Sequence, residues 1–291
     1  MVRLCLNFYN KIRLSLHYTI FYKNQTLENL DMKKTQWLWI GLIIPILIVL
    51  TNLPVKSENI IDTNATQILQ SMSSYLGETQ AFTVNTDINL EIVTANNQKL
   101  QFNSFGTIAL ARPDKFHIRR QGVVADIDFF FDGETLTLQG NRSNVYAQLN
   151  VSGTIDDAIR AFELETGIPA PGADLLFNDV YSILSEGVEN SVYLGTAYVN
   201  GIECHHLAFR EADVDWQLWV QVGDTPLPMK YVITNKWVTA APQYTISLRD
   251  WNTNPELDAQ QFIFVAPEGF EPLETIPTDE LEEFQSTQEE R

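Results

Sequence analysis

Cysteine is nearly absent from this chain, which holds only Cys5 and Cys204. A disulfide framework is therefore excluded, and stability has to come from a hydrophobic core. Basic residues are also scarce, 19 against 37 acids. Residues 58–291 hold 12 Lys/Arg and 35 Asp/Glu, a net charge of −23. A surface of that sign repels phosphate backbones, which excludes nucleic-acid binding, and it disfavours loose adhesion to anionic lipid head groups. The sequence has no Gly-x-Ser-x-Gly elbow, no His-Glu-x-x-His and no phosphate-cradling glycine loop. No internal repeat of fixed length is present, and no linker is long enough to separate a pair of domains. An apolar fraction of 45% with 11% aromatics is what a packed globular protein needs, so disorder is not the default.

The longest apolar run covers the 14 residues Trp37–Leu50 and is interrupted by Gly41 and Pro45. A spanning helix needs about 20 apolar residues. Preceded by Met32-Lys33-Lys34 and followed by Val55 and Ser57 at cleavage-site positions, residues 32–57 read as a secretory signal peptide. Cleavage after Ser57 releases a periplasmic protein; a membrane anchor through 37–53 is the alternative. Residues 1–31 lie upstream of this signal and read as an extension of the gene, with Met32 the expected start. Cys204 is then the one cysteine of the mature chain.

The mature chain opens with a helix over about 63–76, where Ile68, Leu69, Met72 and Leu76 recur at helical spacing and Gly77 follows as a stop. From Phe82 to Ile92 the period changes to two, predicting a long half-buried strand. Asn96-Asn97 supplies a turn, a second strand runs through Phe102, Ile108 and Leu110, and Arg112-Pro113-Asp114 ends it. Strands follow over 116–120 and 127–138, with a hairpin at Asp132-Gly133. Asn200-Gly201 predicts another, with Val199 facing Ile202, Ala197 facing Cys204 and Leu194 facing Leu207. Further strands are expected at 214–222, 229–237, 243–251 and 261–265, giving about ten in an antiparallel meander. Two helices interrupt them. Thr154–Asp157 forms a capping box ahead of the stripe Ile155, Ala158, Ile159 and Phe162. After Gly167–Gly172, a second amphipathic helix carries Leu175, Leu176, Val180, Ile183 and Leu184. The expected organisation is one domain over 58–270 and a disordered acidic tail over 271–291.

Chemistry-bearing residues are few. Cys204-His205-His206 places three metal-capable groups in a row, but on a strand only Cys204 and His206 share a side, too few for a structural zinc site. Asp126/Asp128 and Asp213/Asp215 read as solvated acids at strand ends. No catalytic residue, metal site or cofactor is assigned. What remains is apolar surface beyond the needs of a one-sided sheet, as in Phe129-Phe130-Phe131 and Trp216 to Trp219. Large side chains between sheet and helices form either a plain core or an apolar cavity.

Several runs carry a family resemblance: Arg112–Phe116, Asp128–Leu138, Gly153–Ala158, Ala173–Leu176, Asn200–Arg210, Asp213–Trp219, Pro226–Lys230 and Ala241–Thr245. Over about 60–270 the chain resembles the bacterial periplasmic family known as domain of unknown function 2092. That family is similar in turn to the lipoprotein-carrier superfamily typified by LolA and LolB. The resemblance implies a mainly β, α+β fold, a curved antiparallel half-barrel with a helical lid over an apolar cavity. The implied function is a non-enzymatic, monomeric periplasmic module for a lipid, acylated protein or lipoprotein client, with transient membrane or envelope-protein contact. The alternative is an assembly partner in the cell envelope with a filled core. On the first reading the cavity wall is Phe82, Val84, Ile88, Leu90, Phe102, Ile108, Leu110, Phe129, Phe131, Trp216 and Leu218. The lid contributes Ile155, Ile159, Phe162, Leu176 and Val180.

Overall fold

The alternation that starts at Phe82 becomes the central strand of a twelve-stranded sheet. The computed structural model describes residues 60–276; the expected signal peptide over 32–57, the residues before it and the tail beyond 276 lie outside the described residues. Helix α1 (Thr63–Glu78) comes first, its N-terminus capped by the Asp62 carboxylate, which accepts from the amides of Asn64 and Ala65. Six strands follow: β1 (Ala81–Val93), β2 (Lys99–Ala111), β3 (Lys115–Gly122), β4 (Asp126–Phe131), β5 (Thr135–Gly140) and β6 (Val145–Asn150). Next come α2 (Ile155–Thr166), a 3-10 turn (Ala173–Leu176) and the short α3 (Val180–Leu184). A second meander then runs through β7 (Asn190–Val199), β8 (Ile202–Arg210), β9 (Val214–Gln221), β10 (Pro228–Asn235) and β11 (Gln243–Asn252). Strand β12 (Glu271–Leu273) is last.

The order across the sheet is β12-β6-β5-β4-β3-β2-β1-β11-β10-β9-β8-β7. The two meanders meet where β1 pairs antiparallel with β11, Ile88 opposite Ile246 and Leu90 opposite Tyr244. The fold is thus an α+β, open half-barrel-like antiparallel sheet with a small helical region on one face. The capping box at α2 is present, Thr154 and Asp157 each bonding the other's backbone amide, and Gly167 ends the helix at φ 67°. At the Asn200-Gly201 hairpin both residues have positive φ, 50° and 81°, as a two-residue turn requires.

Several expectations need correction. Gly77 does not stop α1 but lies in its last turn, where a Cβ would come within 2.6 Å of the Asn178 carbonyl oxygen. Its role is close approach between two segments. In the 200–201 hairpin, Val199–Ile202 and Ala197–Cys204 pair as expected, but Leu207 faces Tyr193; the register shifts at Leu194, which bulges out. The second mid-chain helix is broken into the 3-10 turn and the five-residue α3, because Asp179 starts a new cap on Ser182. Residues 261–265 form no strand; 259–262 are a 3-10 turn capped by Asp258. The ordered domain also runs past 270, since Glu271–Leu273 pairs parallel with Val145–Ala147 at the sheet edge.

Residues on the far face of the sheet explain the second set of aromatics. Phe130 stacks on His117 at 4.2 Å between centroids and meets Phe264, which also packs on Tyr146. Trp219 lies flat on His206 at 4.1 Å, with the Lys230 ammonium over the indole. Asp126 and Asp128 are not solvated acids. Both pair with Arg119, and Asp128 also accepts from His117 and Asn141, which together hold its carboxyl below the usual range despite burial.

Candidate ligand-binding site

Strands β1 and β2 run 13 residues each, about 43 Å of extended chain. Each covering helix is shorter: α1 spans about 24 Å, α2 about 18 Å and α3 about 8 Å. Only a portion of the concave face is therefore sealed by helix. At the sealed end the Arg112 guanidinium, at the close of β2, donates to the carbonyls of Leu76, Leu176 and Phe177. It ties the end of α1 and the 3-10 turn to the sheet.

Toward the other end of the same strands lies a half-open cavity of about 450 Å³. Its sheet wall includes Thr86, Ile88, Leu90 and Ile92 of β1, Ile108, Ile118, Ile127 and Phe129, with Tyr244 and Ile246 of β11. Its other wall is Phe162 of α2 and the segment Ile168–Ala173, together with Leu176. Phe129 and Phe162 close one side edge to face, 5.3 Å between centroids. Within that segment Ile168–Pro171 is bounded by Gly167 and Gly172, both left-handed, at φ 67° and 88°.

Of the residues read from the sequence as wall and lid, Ile88, Leu90, Ile108, Phe129, Phe162 and Leu176 border this cavity. Phe82, Val84, Leu110, Phe131 and Leu218 share the concave side but lie in the packed interior, as do Ile155, Ile159 and Val180. They sit where helices reach the sheet and leave no space. Trp216 is buried too, stacked on Phe209, and borders a second, smaller cavity. Phe102 faces Leu90 across β1–β2 yet is half-buried outside the cavity lining. The alternation assigned these side chains to the correct face but carried no information on how far along the strands the cover extends.

Sequence reasoning missed two polar features. Arg120 borders the cavity, and it could have been placed there by alternation from Phe116 and Ile118 along β3. The second cavity, about 70 Å³, lies on the other side of Pro169–Pro171 and is bordered by Glu163, Asp174 and Glu211. All three acids are buried. Glu163 accepts from the Ala170 amide at 3.1 Å, and Glu211 Oε1 from the Trp216 indole N–H at 2.7 Å, while Glu211 Oε2 has no hydrogen-bond partner. Burial pushes Asp174 and Glu211 up to about 7 and raises Glu163 as well. No sequence signal brings these three positions together; they meet only through the long-range packing of α2, the 3-10 turn and the end of β8.

The Cys204-His205-His206 run forms no shared site. Cys204 is buried with its thiol directed at the Ile202 carbonyl, and burial pushes that thiol up. His205 bonds the Tyr193 hydroxyl at 3.0 Å and His206 the Gln217 side chain at 2.9 Å. Among the described residues no group of three or more His, Cys, Asp or Glu side chains is placed to hold a metal.

A family model described as "Predicted periplasmic protein (DUF2092)" matches residues 65–274. The chain belongs to that family. Members of the DUF2092 family are periplasmic by that description, and the chain's localisation follows it. Among the described residues no helix is long and apolar enough to cross a membrane. No curated protein matches the sequence. Solved structures similar in fold include an uncharacterised conserved protein from Thermus thermophilus, with 9% identity, TM-score 0.43 and coverage of 72% of this chain and 99% of that one. The MucA/MucB complex of Pseudomonas aeruginosa matches at 14% identity and TM-score 0.40, over 70% of this chain and 62% of that one. A LolA superfamily protein from Nitrosomonas europaea matches at 9% identity and TM-score 0.34, over 69% and 97%.

Proposed function

We propose that this DUF2092 domain is a non-enzymatic periplasmic binding module that holds a lipid, an acylated protein or another apolar ligand in the β1–β2 cavity. The observation that carries the reading is the unfilled, mostly apolar space of about 450 Å³ at the unsealed end of the concave face. That volume is within the range of small-molecule sites, about 300–1,000 Å³. Each methylene buried there contributes about 0.8 kcal/mol, so about ten of them reach the micromolar scale, about 8 kcal/mol. The segment Ile168–Ala173 supplies one wall without belonging to a helix longer than one turn, and its flanking glycines allow it to move without unfolding α2. The alternative, an assembly partner with a filled interior, leaves this space without a purpose.

Native mass spectrometry of protein released gently from the periplasm, before and after solvent extraction, tests the reading. The expected result is a co-purifying lipid mass and re-uptake of a fluorescent fatty acid by the extracted protein. Leu90→Asp or Phe129→Asp, with the fold checked by circular dichroism, should abolish both. A lipid-free protein that takes up no fluorescent fatty acid would overturn it.

A further inference from the structure

Arg119 and Arg120 are adjacent on β3 and both border the cavity, and alternation along the strand directs their side chains to opposite faces. The Arg119 guanidinium is held between two carboxylates, Asp126 Oδ1 at 2.7 Å and Asp128 Oδ2 at 2.5 Å. The Arg120 side chain borders the apolar cavity and makes one hydrogen bond, from Nε to the neutral Ser104 hydroxyl at 3.1 Å. In a chain with 37 acids against 19 bases, a carboxylate partner is the commonest thing the sequence could have offered. None of the described residues supplies one to Arg120. A guanidinium on an apolar wall without a counter-ion is costly, and an anion brought in by a ligand would offset that cost. The same cavity is bordered by Tyr244, whose hydroxyl burial keeps protonated and whose ring lies in the field of Arg120. It offers a second donor. Asp126 and Asp128, which flank the partner of Arg120 on β4, are taken up by Arg119, and Glu163 and Asp174 border the small cavity beyond Pro169–Pro171, where Asp174 also raises the Tyr244 hydroxyl.

We propose that the ligand is an anionic amphiphile, its carboxylate or phosphate on the free Nη edge of Arg120 and its acyl chain along Ile88, Leu90, Ile108 and Phe129. This rests on the cavity being a ligand site. It narrows that reading by excluding the uncharged diacylglyceryl group of a lipoprotein as the preferred occupant.

Isothermal titration of the purified, delipidated protein with four single-chain probes tests it: palmitate, palmitoyl lysophosphatidate, hexadecanol and hexadecylamine. The expected result is that at least one of the two anionic probes binds about tenfold or more tighter than hexadecanol, and hexadecylamine more weakly than either. Palmitate against lysophosphatidate then tells carboxylate from phosphate. Arg120→Gln should remove that advantage and leave hexadecanol unchanged, while Arg120→Lys keeps most of it. Equal binding of palmitate, lysophosphatidate and hexadecanol by the unaltered protein overturns the anionic reading and leaves the cavity reading standing. An Arg120→Gln variant that loses all four probes equally while still folded makes Arg120 a scaffold residue and overturns the proposal too. Binding of none of the four overturns the cavity reading along with it.

Discussion

At one end of the β1–β2 hairpin Phe82 and Leu110 face each other and are fully buried; further along the same strands Leu90 and Phe102 face each other in the same way and stay half-exposed. The strands, their register and their residue types hardly differ between the two ends. What differs is the cover. Arg112 pins α1 and the 3-10 turn over the first end, whereas the described residues opposite the second end are the Gly-bounded segment Ile168–Ala173 with Phe162 and Leu176. A sheet face becomes core or cavity according to the reach of the elements packed on it.

The largest expected effect lies at the sealed end. Leu110→Ala should lower unfolding free energy by about 2–5 kcal/mol, because the void left among close-packed neighbours cannot collapse. Urea denaturation measures it, and a loss below about 1 kcal/mol would mean the sealed end is looser than its burial implies. Arg112→Met should cost about 2 kcal/mol by stranding three carbonyl acceptors. Hydrogen exchange should then quicken at residues 173–184, where the cover is tied down, while the β3–β5 amides keep their protection.

The small acidic cavity gives a third contrast, between the two sides of Pro169–Pro171. Asp174 and Glu211 have folded-state values near 7, above their unfolded ones, so folding favours their protonated forms. The stability this contributes is complete below about pH 4 and is lost as pH rises through about 7. Between about pH 6 and pH 8 the loss should be about 1 kcal/mol for each group. Glu211→Gln should flatten that profile, and a slope unchanged by the substitution would remove Glu211 as its source. The smallest effect belongs to the open end: Leu90→Ala should cost under about 1 kcal/mol, since its side chain already borders empty space. A cost matching that of Leu110→Ala would erase the difference between the ends.

The elements of this architecture that rest on near neighbours were legible in the sequence. The first helix with its Ile68–Leu69–Met72–Leu76 spacing, the period-two run from Phe82 to Ile92, the Thr154–Asp157 box and the Asn200-Gly201 turn are each specified within a few residues. The Leu194 bulge was not, because a register shift is settled by pairing with the partner strand β8 and not by β7 itself. Nor was the break between Leu176 and Val180, where apolar spacing continues but Asp179 re-caps the chain. The site was legible as a face and not as a place. Alternation chose Ile88, Leu90, Ile108 and Phe129 along with Phe82, Leu110 and Phe131, and only the positions of the helices separate the two sets. Arg120 was within reach of the alternation along β3, whereas the Glu163–Asp174–Glu211 cluster depends on segments far apart in sequence.

The β1–β11 seam sets the order in which the molecule can be completed. Asn85 and Asp250, hydrogen-bonded across it, stand 165 residues apart. During export the N-terminal strands emerge first, so β1 has β2 on one side and a bare edge on the other until 243–252 arrive. Closing so long a loop is slow, and an uncovered 13-residue edge invites pairing with another chain in the interval. Refolding at rising protein concentration should therefore lose yield to aggregates. A chain truncated before Gln243 should be much less stable in its second half, since β7 to β10 would lose their strand link to the first meander and keep α1, bonded to β7 through Asp62, as a docking surface.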